Sequence, residues 1–139
     1  MRAELSDLVH RYAALVDDRD FASAAGLFTE DGVLVRPDPP DVLDPVEELC
    51  GRAAIELGLR ALEGVALTVH AIVGEVYDGA TGRIVCVAHH LLDGRTDLVW
   101  HLRYRDTYTP EQDRWRIARR ELSIDLIETR AVKRSRGSS

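Results

Sequence analysis

The sequence of 139 residues carries a formal net charge of −6, with 45% hydrophobic and 30% charged residues. This length fits one domain with a single hydrophobic core. The acidic balance argues against a nucleic-acid-binding surface, which relies on clustered lysine and arginine. No apolar run approaches the ~18 residues of a membrane span. The N-terminal segment lacks the apolar region of a secretory signal, so a cytoplasmic location is expected.

The cysteine content and the short motifs exclude several classes of site. Cys50 and Cys86 are too few and too far apart for a zinc motif or a disulfide framework. The sequence contains no glycine-rich phosphate loop, no G-x-S-x-G elbow and no H-E-x-x-H motif. We therefore expect a site without a metal ion or a cofactor.

The first part of the chain predicts two helices. Apolar residues recur at helical spacing from Leu5 to Val16, which predicts an amphipathic helix over Ser6–Asp18. Asp20 is a suitable N-cap for a second, short helix over Phe21–Phe28, because an aspartate side chain accepts a hydrogen bond from an early backbone N–H.

A proline-rich stretch follows a short strand predicted over Val33–Arg36. Proline lacks the backbone N–H that a sheet ladder requires, so Pro37–Pro45 is predicted to be a loop at the rim of a site or a lid over it. The segment Gly51–Leu62 is apolar at most positions and predicts a third helix.

The second half of the chain changes from helical periodicity to alternation, which is typical of long antiparallel strands. Such long strands must curl, and three helices over the concave side would enclose a cone-shaped pocket. The predicted fold is therefore α+β, with one domain over residues 1–129 and a disordered basic tail over residues 130–139. The strands are expected at Val65–Tyr77, Arg83–Leu92, Leu98–Tyr108 and Arg114–Ile127.

His70 is the most informative residue, because it lies in a strand whose two faces are both expected to be covered. The odd positions from Val65 to Val73 are apolar, whereas the even face is smaller and partly polar. An imidazole that faces an enclosed cavity is a candidate general base near neutral pH. A core histidine that is bonded to backbone or to an acid explains this stretch equally well.

The inward face of the later strands supplies further candidates. The apolar phase of the last strand shifts after Ile117, which requires a bulge near Ala118 to Arg120 and directs Arg120 inward. An inward arginine needs an anion, so Arg120 is either a site residue or half of a structural salt bridge with Glu121 or Asp125. His89 and His90 point to opposite faces, so one of them can reach a pocket. The candidate substrate-binding residues are His90, Trp100, Tyr104 and Asp106.

Two residues of the first helix gain importance from a family resemblance. By periodicity, Tyr12 is a core tyrosine and Asp17 a solvated surface residue. The run YAALVDDRDFASAAGLFTEDGVL, the later TVH, and RYRDTY followed by DRWRIARREL resemble the SnoaL-like branch of the NTF2-like superfamily. Within it, the arrangement is most similar to the scytalone dehydratases, hexachlorocyclohexane dehydrochlorinases and bile-acid 7α-dehydratases, which are cofactor-free lyases.

This resemblance implies a cone-shaped α+β barrel, a homodimer or homotrimer, and a pocket for a small hydrophobic, cyclic molecule. It also implies an Asp-His dyad of Asp17 and His70, in which the histidine abstracts a proton from the substrate. Arg120 would stabilise the developing negative charge, and Tyr12 would supply a proton or hydrogen bond to the departing oxygen. Elimination, double-bond migration and ring closure share this first step, so the residues predict proton abstraction and not the product.

Two other functions stay open at the level of sequence. The same fold serves as a non-catalytic ligand carrier or dimerisation module, in which case His70 would be bonded to backbone inside a filled barrel. An epoxide hydrolase would need a second acid in the pocket, for which Asp106 is the candidate.

Overall fold

The computed structural model describes residues 1–136 as three α-helices and one six-stranded mixed sheet, as expected for the predicted α+β class. In chain order the elements are α1 (Arg2–Asp17), α2 (Phe21–Ala25), β1 (Phe28–Asp38), β2 (Val42–Cys50), α3 (Arg52–Leu59), a 3₁₀ helix (Arg60–Gly64), β3 (Leu67–Asp78), β4 (Thr81–Leu91), β5 (Thr96–Glu111) and β6 (Arg114–Ala131). The strand order is β2-β1-β6-β5-β4-β3, which makes β2 and β3 the two edges. The β1 and β6 strands run parallel, and the other neighbouring strands are antiparallel.

The helices cover the concave face of the sheet with the apolar stripes that the sequence predicts. Leu5, Val9 and Val16 of α1 are at most 1% exposed, and Ile55 of α3 is fully buried. The side chain of Asp20 accepts a hydrogen bond from the Ser23 backbone N–H at 3.2 Å, which confirms the predicted N-cap of α2. No helix within residues 1–136 combines the length and the apolar character needed to cross a membrane.

The prediction of a loop over Pro37–Pro45 is wrong, because β2 begins at Val42 and includes Pro45. Two features of β2 explain why proline is tolerated there. This strand is a sheet edge, where one row of N–H groups needs no partner. Its regular pairing with β1 also breaks between Val42 and Glu47, which leaves Pro45 outside the ladder.

The predicted bulge in the last strand is present. Tyr108 of β5 pairs with Ile117, and the neighbouring Thr107 pairs with Arg119, so Ala118 is an extra residue without an opposite partner. Because of the extra residue, the side chains after Ala118 point to the opposite face of the sheet from the one that strict alternation would give. Arg120 therefore lies inside, at 0% exposure. The change of apolar phase in the sequence was therefore a correct signal.

The expectation that both faces of the His70 strand are covered is wrong for the odd face. Val69 and Val73 of β3 are 45% and 61% exposed, and they point away from the helices. Their apolar character led to the prediction of burial, but no second layer covers this outer face in the described part of the chain.

The C-terminal strand is longer than predicted. β6 continues to Ala131, and Arg130 pairs with Asp97 of β5, so the ladder includes the first two residues of the expected tail. The last part of that tail, residues 137–139, lies outside the described residues.

Candidate active site

Asp17 and His70 meet at the end of the first helix. Asp17 is the last residue of α1, and its Oδ1 lies 2.7 Å from Nδ1 of His70 in β3. The side chains are 24% and 8% exposed, respectively. The resemblance predicted this pair, whereas helical periodicity had assigned Asp17 to a solvated surface.

The carboxylate of Asp17 accepts three hydrogen bonds. Besides the imidazole, the backbone N–H of His70 donates to Oδ2 at 2.8 Å and the Thr68 hydroxyl donates to Oδ1 at 3.0 Å. Burial raises the pKa of Asp17, but the hydrogen bonds from His70 and Thr68 together outweigh it, so the pKa lies below its usual value. Asp17 is therefore an ionised acceptor near neutral pH.

This contact fixes the tautomer of His70. A carboxylate has no hydrogen to donate when it is ionised, so Nδ1 of His70 carries a proton, and in the neutral form of the ring the lone pair is on Nε2. Nε2 has no hydrogen-bond partner among residues 1–136, and His70 lines a cavity between the helices and the sheet. A lone pair in that position can accept a proton from a bound molecule.

The cavity has a volume of about 150 Å³ and a mostly apolar wall. Helix α1, the end of β1, the segment from α3 into the 3₁₀ helix, and strands β3 to β6 each contribute to it. Its wall consists of Tyr12, Val16, Leu34, Arg36, Pro37, Gly58, Leu59, Ala61, Leu62, His70, His90, Trp100, Leu102, Tyr104 and Leu122.

His90 lies beside the dyad in this wall. Its ring centroid is 6.1 Å from that of His70 and 4.6 Å from the Trp100 ring. Only 4% of His90 is exposed, and its Nδ1 lies 2.9 Å from the carbonyl oxygen of Leu98. The indole Nε1 of Trp100 is buried and has no partner in the described residues. Both residues therefore stand where the sequence analysis placed candidate substrate-binding side chains.

Arg120 and Asp106 form a buried ion pair instead of facing the cavity. Nε and Nη2 of Arg120 donate to the two carboxylate oxygens of Asp106 at 2.8 and 2.7 Å, and both side chains are 0% exposed. The Tyr108 hydroxyl also donates to Asp106, at 2.7 Å. The cavity wall includes neither member of the pair, so their positions do not support the expected direct contacts with substrate. Arg120 therefore forms a salt bridge, but its partner is Asp106 and not Glu121 or Asp125, which pair with Arg119 and Arg103.

Two tyrosines connect this ion pair with the cavity. The guanidinium carbon of Arg120 lies 4.5 Å from the ring centroid of Tyr12 and 3.9 Å from that of Tyr104, and both rings line the cavity. Burial raises the pKa of Tyr12, and the nearby positive charge of Arg120 opposes that rise. Tyr12 is therefore protonated near neutral pH and can donate a hydrogen bond.

A SnoaL-like domain model matches residues 1–121. The chain belongs to the SnoaL-like family. No curated protein matches it in sequence.

Solved structures share the SnoaL-like fold. A candidate scytalone dehydratase from Novosphingobium aromaticivorans is 20% identical, covers 96% of this chain and 90% of its own, and has a TM-score of 0.80. A hexachlorocyclohexane dehydrochlorinase is 13% identical, with coverages of 96% and 91% and a TM-score of 0.80. ActVI-ORFA from Streptomyces coelicolor is 20% identical, with coverages of 89% and 97% and a TM-score of 0.73. At these identities the likeness establishes the fold and not the reaction.

The sequence analysis missed two polar contributors to this SnoaL-like site. Thr68 holds Asp17, and its position two residues before His70 on the same strand face was the available signal. Arg36 lines the cavity while its guanidinium donates to the Gly58 carbonyl and to Glu47. No sequence pattern predicts that Arg36 lines a cavity, because its partners Gly58 and Glu47 lie on other elements that only the tertiary structure brings next to it.

Among residues 1–136, no group of three His, Cys, Asp or Glu side chains is placed so that it could hold a metal ion. Cys86 is buried, which raises its thiol pKa to about 12. It is therefore not a nucleophile near neutral pH.

Proposed function

We propose that this SnoaL-like protein is a cofactor-independent lyase or isomerase that removes a proton from a small hydrophobic, cyclic substrate. The observation that supports this most is the Asp17–His70 contact of 2.7 Å beside a cavity into which Nε2 of His70 is free to act. This geometry favours an enzyme over a ligand carrier, for which a filled barrel with His70 bonded to backbone was expected.

The proposed reaction begins with His70 as the general base. Nε2 removes a proton from a carbon next to a carbonyl group, and the imidazole becomes positively charged. The ionised carboxylate of Asp17 stabilises that charge and holds the ring in the reactive orientation. In an elimination, the electron pair of the broken C–H bond forms a C=C bond as the neighbouring oxygen departs.

Tyr12 is the proposed proton donor to the departing oxygen. It is 4% exposed, lines the cavity and is protonated near neutral pH. Arg120 contributes as a positioning residue, because its charge lies against the rings of Tyr12 and Tyr104 and does not enter the cavity. An epoxide hydrolase would need Asp106 as a second acid in the cavity, but this carboxylate is bound to Arg120 and Tyr108.

Dehydration of 3-hydroxycyclohexanone to 2-cyclohexenone and water tests this proposal. The compound is a single ring with an acidic C–H bond between a carbonyl group and a carbon that bears a hydroxyl group. We expect the purified protein to accelerate the reaction and His70→Ala to lower the rate by about 10²–10⁴-fold, the usual contribution of a general base. Ultraviolet absorbance of the conjugated product gives the rate.

The control for this assay is His89→Ala, since His89 lies on the neighbouring strand with its ring bound to Asp97 outside the cavity wall. It should retain the wild-type rate, and circular dichroism should show both variants folded. Equal rates for wild type and a folded His70→Ala variant would exclude His70 as the base.

We also propose that the protein forms a homodimer through the outer face of the sheet. On the edge strand β3 this face presents Val69, Val73 and Val76, which are 45–61% exposed. Arg83 and Arg105 lie directly opposite one another on β4 and β5, and Glu121 lies opposite Arg105 on β6, so an anion already stands beside this like-charged pair.

The exposed valines lie along one strand. A twofold axis that sets the β3 strands of two copies antiparallel would place Val69, Val73 and Val76 of the two copies against each other. The partner that fits this surface is therefore a second copy of the chain.

A further inference from the structure

His90 has a fixed proton position. Its Nδ1 lies 2.9 Å from the carbonyl oxygen of Leu98, and a carbonyl oxygen accepts hydrogen bonds without donating any. Nδ1 therefore carries the hydrogen. If the ring is neutral, the lone pair must be on Nε2.

The surroundings of His90 keep the ring neutral. Burial is the main cause that lowers the pKa of His90, and the neighbouring imidazole of His70 acts in the same direction. The carboxylate of Asp97 is also near His90, but its two oxygens are bound to the His90 backbone N–H and to the ring of His89 and not to the ring of His90. The ring of Trp100, whose centroid lies 4.6 Å from that of His90, is uncharged.

Nε2 of His90 is an acceptor without a protein donor. Among residues 1–136 it has no hydrogen-bond partner, although His90 is 4% exposed and lines the cavity. Unlike Nε1 of Trp100, this atom is not completely enclosed by other protein atoms. A buried acceptor that opens only to a cavity is paired when the bound molecule brings a donor.

We propose that the substrate carries a hydroxyl group on a single six-membered ring, and that this hydroxyl donates a hydrogen bond to Nε2 of His90. The inference rests on the proposed function, since it concerns the same cavity. A volume of about 150 Å³ matches one benzene-sized ring. A ketone or ether oxygen at this position has no hydrogen to donate and leaves Nε2 unpaired.

The spacing of the two histidines sets where the hydroxyl lies relative to the reacting carbon. The ring centroids of His70 and His90 are 6.1 Å apart and nearly perpendicular at 79°. Because the two rings are neighbours in the same cavity wall, a single bound ring beside them can present its hydroxyl to His90 and a C–H bond to His70 together. His90 thus selects and orients the substrate, while His70 performs the proton transfer.

Binding of phenol and toluene tests this inference, because the two probes have nearly the same size and differ in the hydroxyl group. Dissociation constants come from NMR titration of wild type, His90→Phe, His70→Phe and the matched control His89→Phe, since the ring of His89 is bound to Asp97 outside the cavity wall. We expect the preference for phenol over toluene to fall by about two- to tenfold in His90→Phe, the usual effect of one hydrogen bond. His89→Phe should keep the wild-type preference.

The wild-type protein gives a second measurement that does not depend on the folding of a variant. Phenol should shift the ¹⁵N resonance of His90 Nε2, and toluene of equal occupancy should leave it in place. An unchanged preference in folded His90→Phe, an unchanged resonance with phenol, or failure of both probes to bind wild type would each overturn the inference. A preference that depends on His70 instead would overturn it and leave the dyad intact. An inactive dyad with a His90-dependent preference would overturn the proposed function alone.

Discussion

Asp17 stands at a position where a helix disfavours a carboxylate. It is the last residue of α1, and the C-terminal end of a helix carries partial negative charge. The last turn contains no basic residue to compensate. Three hydrogen bonds from Thr68 and His70 offset this disadvantage, and their presence explains why an acid is retained there.

The dyad predicts a change in the Asp17 pKa when the imidazole is removed. In wild type the pKa lies below its usual value, because the hydrogen bonds outweigh burial. In His70→Phe the ring donor is lost while burial persists, so the pKa should rise. Titration of the Asp17 carboxyl carbon by ¹³C NMR measures this shift, with His90→Phe as the control that leaves it unchanged. An identical Asp17 pKa in His70→Phe would falsify the contact.

The same pKa shift predicts how stability responds to acid. A carboxylate with a lowered folded-state pKa stabilises the fold above its unfolded pKa, and this contribution disappears as the pH falls through the folded value. The wild-type free energy of unfolding should therefore fall more steeply than that of Asp17→Asn between about pH 5 and pH 2. Urea unfolding at several pH values measures both slopes. Parallel slopes would show that Asp17 is not stabilised in the folded state.

At the level of elements, the Arg120–Asp106 pair ties β5 to β6 inside the sheet. Both side chains are fully buried, so removing one charge leaves the other without a partner in a low-dielectric interior. We expect Arg120→Met to lower the free energy of unfolding by about 3–5 kcal/mol. Urea denaturation followed by fluorescence measures this loss.

Arg103 supplies the matched control for this prediction. It lies on β5, pairs with Asp125 of β6 at 2.7 Å, and is 60% exposed. An exposed pair contributes about 0–1 kcal/mol, so Arg103→Met should have little effect. Similar losses for the two variants would mean that burial does not determine the strength of the Arg120 pair.

The sequence predicted those elements whose pattern depends on local residues. The bulge at Ala118 followed from a shift of apolar phase, and the N-cap at Asp20 followed from side-chain chemistry. The strand around Pro45 was missed, because its tolerance of proline depends on being a sheet edge. Edge position is a property of the whole topology and leaves no mark in a short segment.

The site was predictable to a different degree from each of its residues. His70 followed from the mixed face of its strand, whereas Asp17 came from the family resemblance alone. Its helical position resembles that of any exposed acid, and its partners lie more than fifty residues away. Arg120 was correctly directed inward, but the choice between substrate and salt bridge required the position of Asp106 on the facing strand.

For the whole molecule, the outer face of the sheet predicts self-association. Val73→Asp places a charge among the exposed valines of β3 that form the proposed interface, so it should convert a dimer to a monomer in sedimentation velocity. Leu57→Asp is the control, because Leu57 is 73% exposed on α3, away from this face. A monomeric wild-type protein, or a dimer that persists in Val73→Asp, would contradict the proposed interface.

Strand β3 divides its residues between two tasks, with His70 turned toward the cavity and Val69 toward the outside. Inserting or deleting one residue between Thr68 and Ile72, ahead of the bulge at Val73, would exchange these sides for His70 and Val69. Relatives that diversify by changing length should therefore do so at the connections around Gly79 and Gly94, while β3 changes by substitution alone. The hairpin connections should therefore differ in length among relatives, whereas the length of β3 should be the same in all of them.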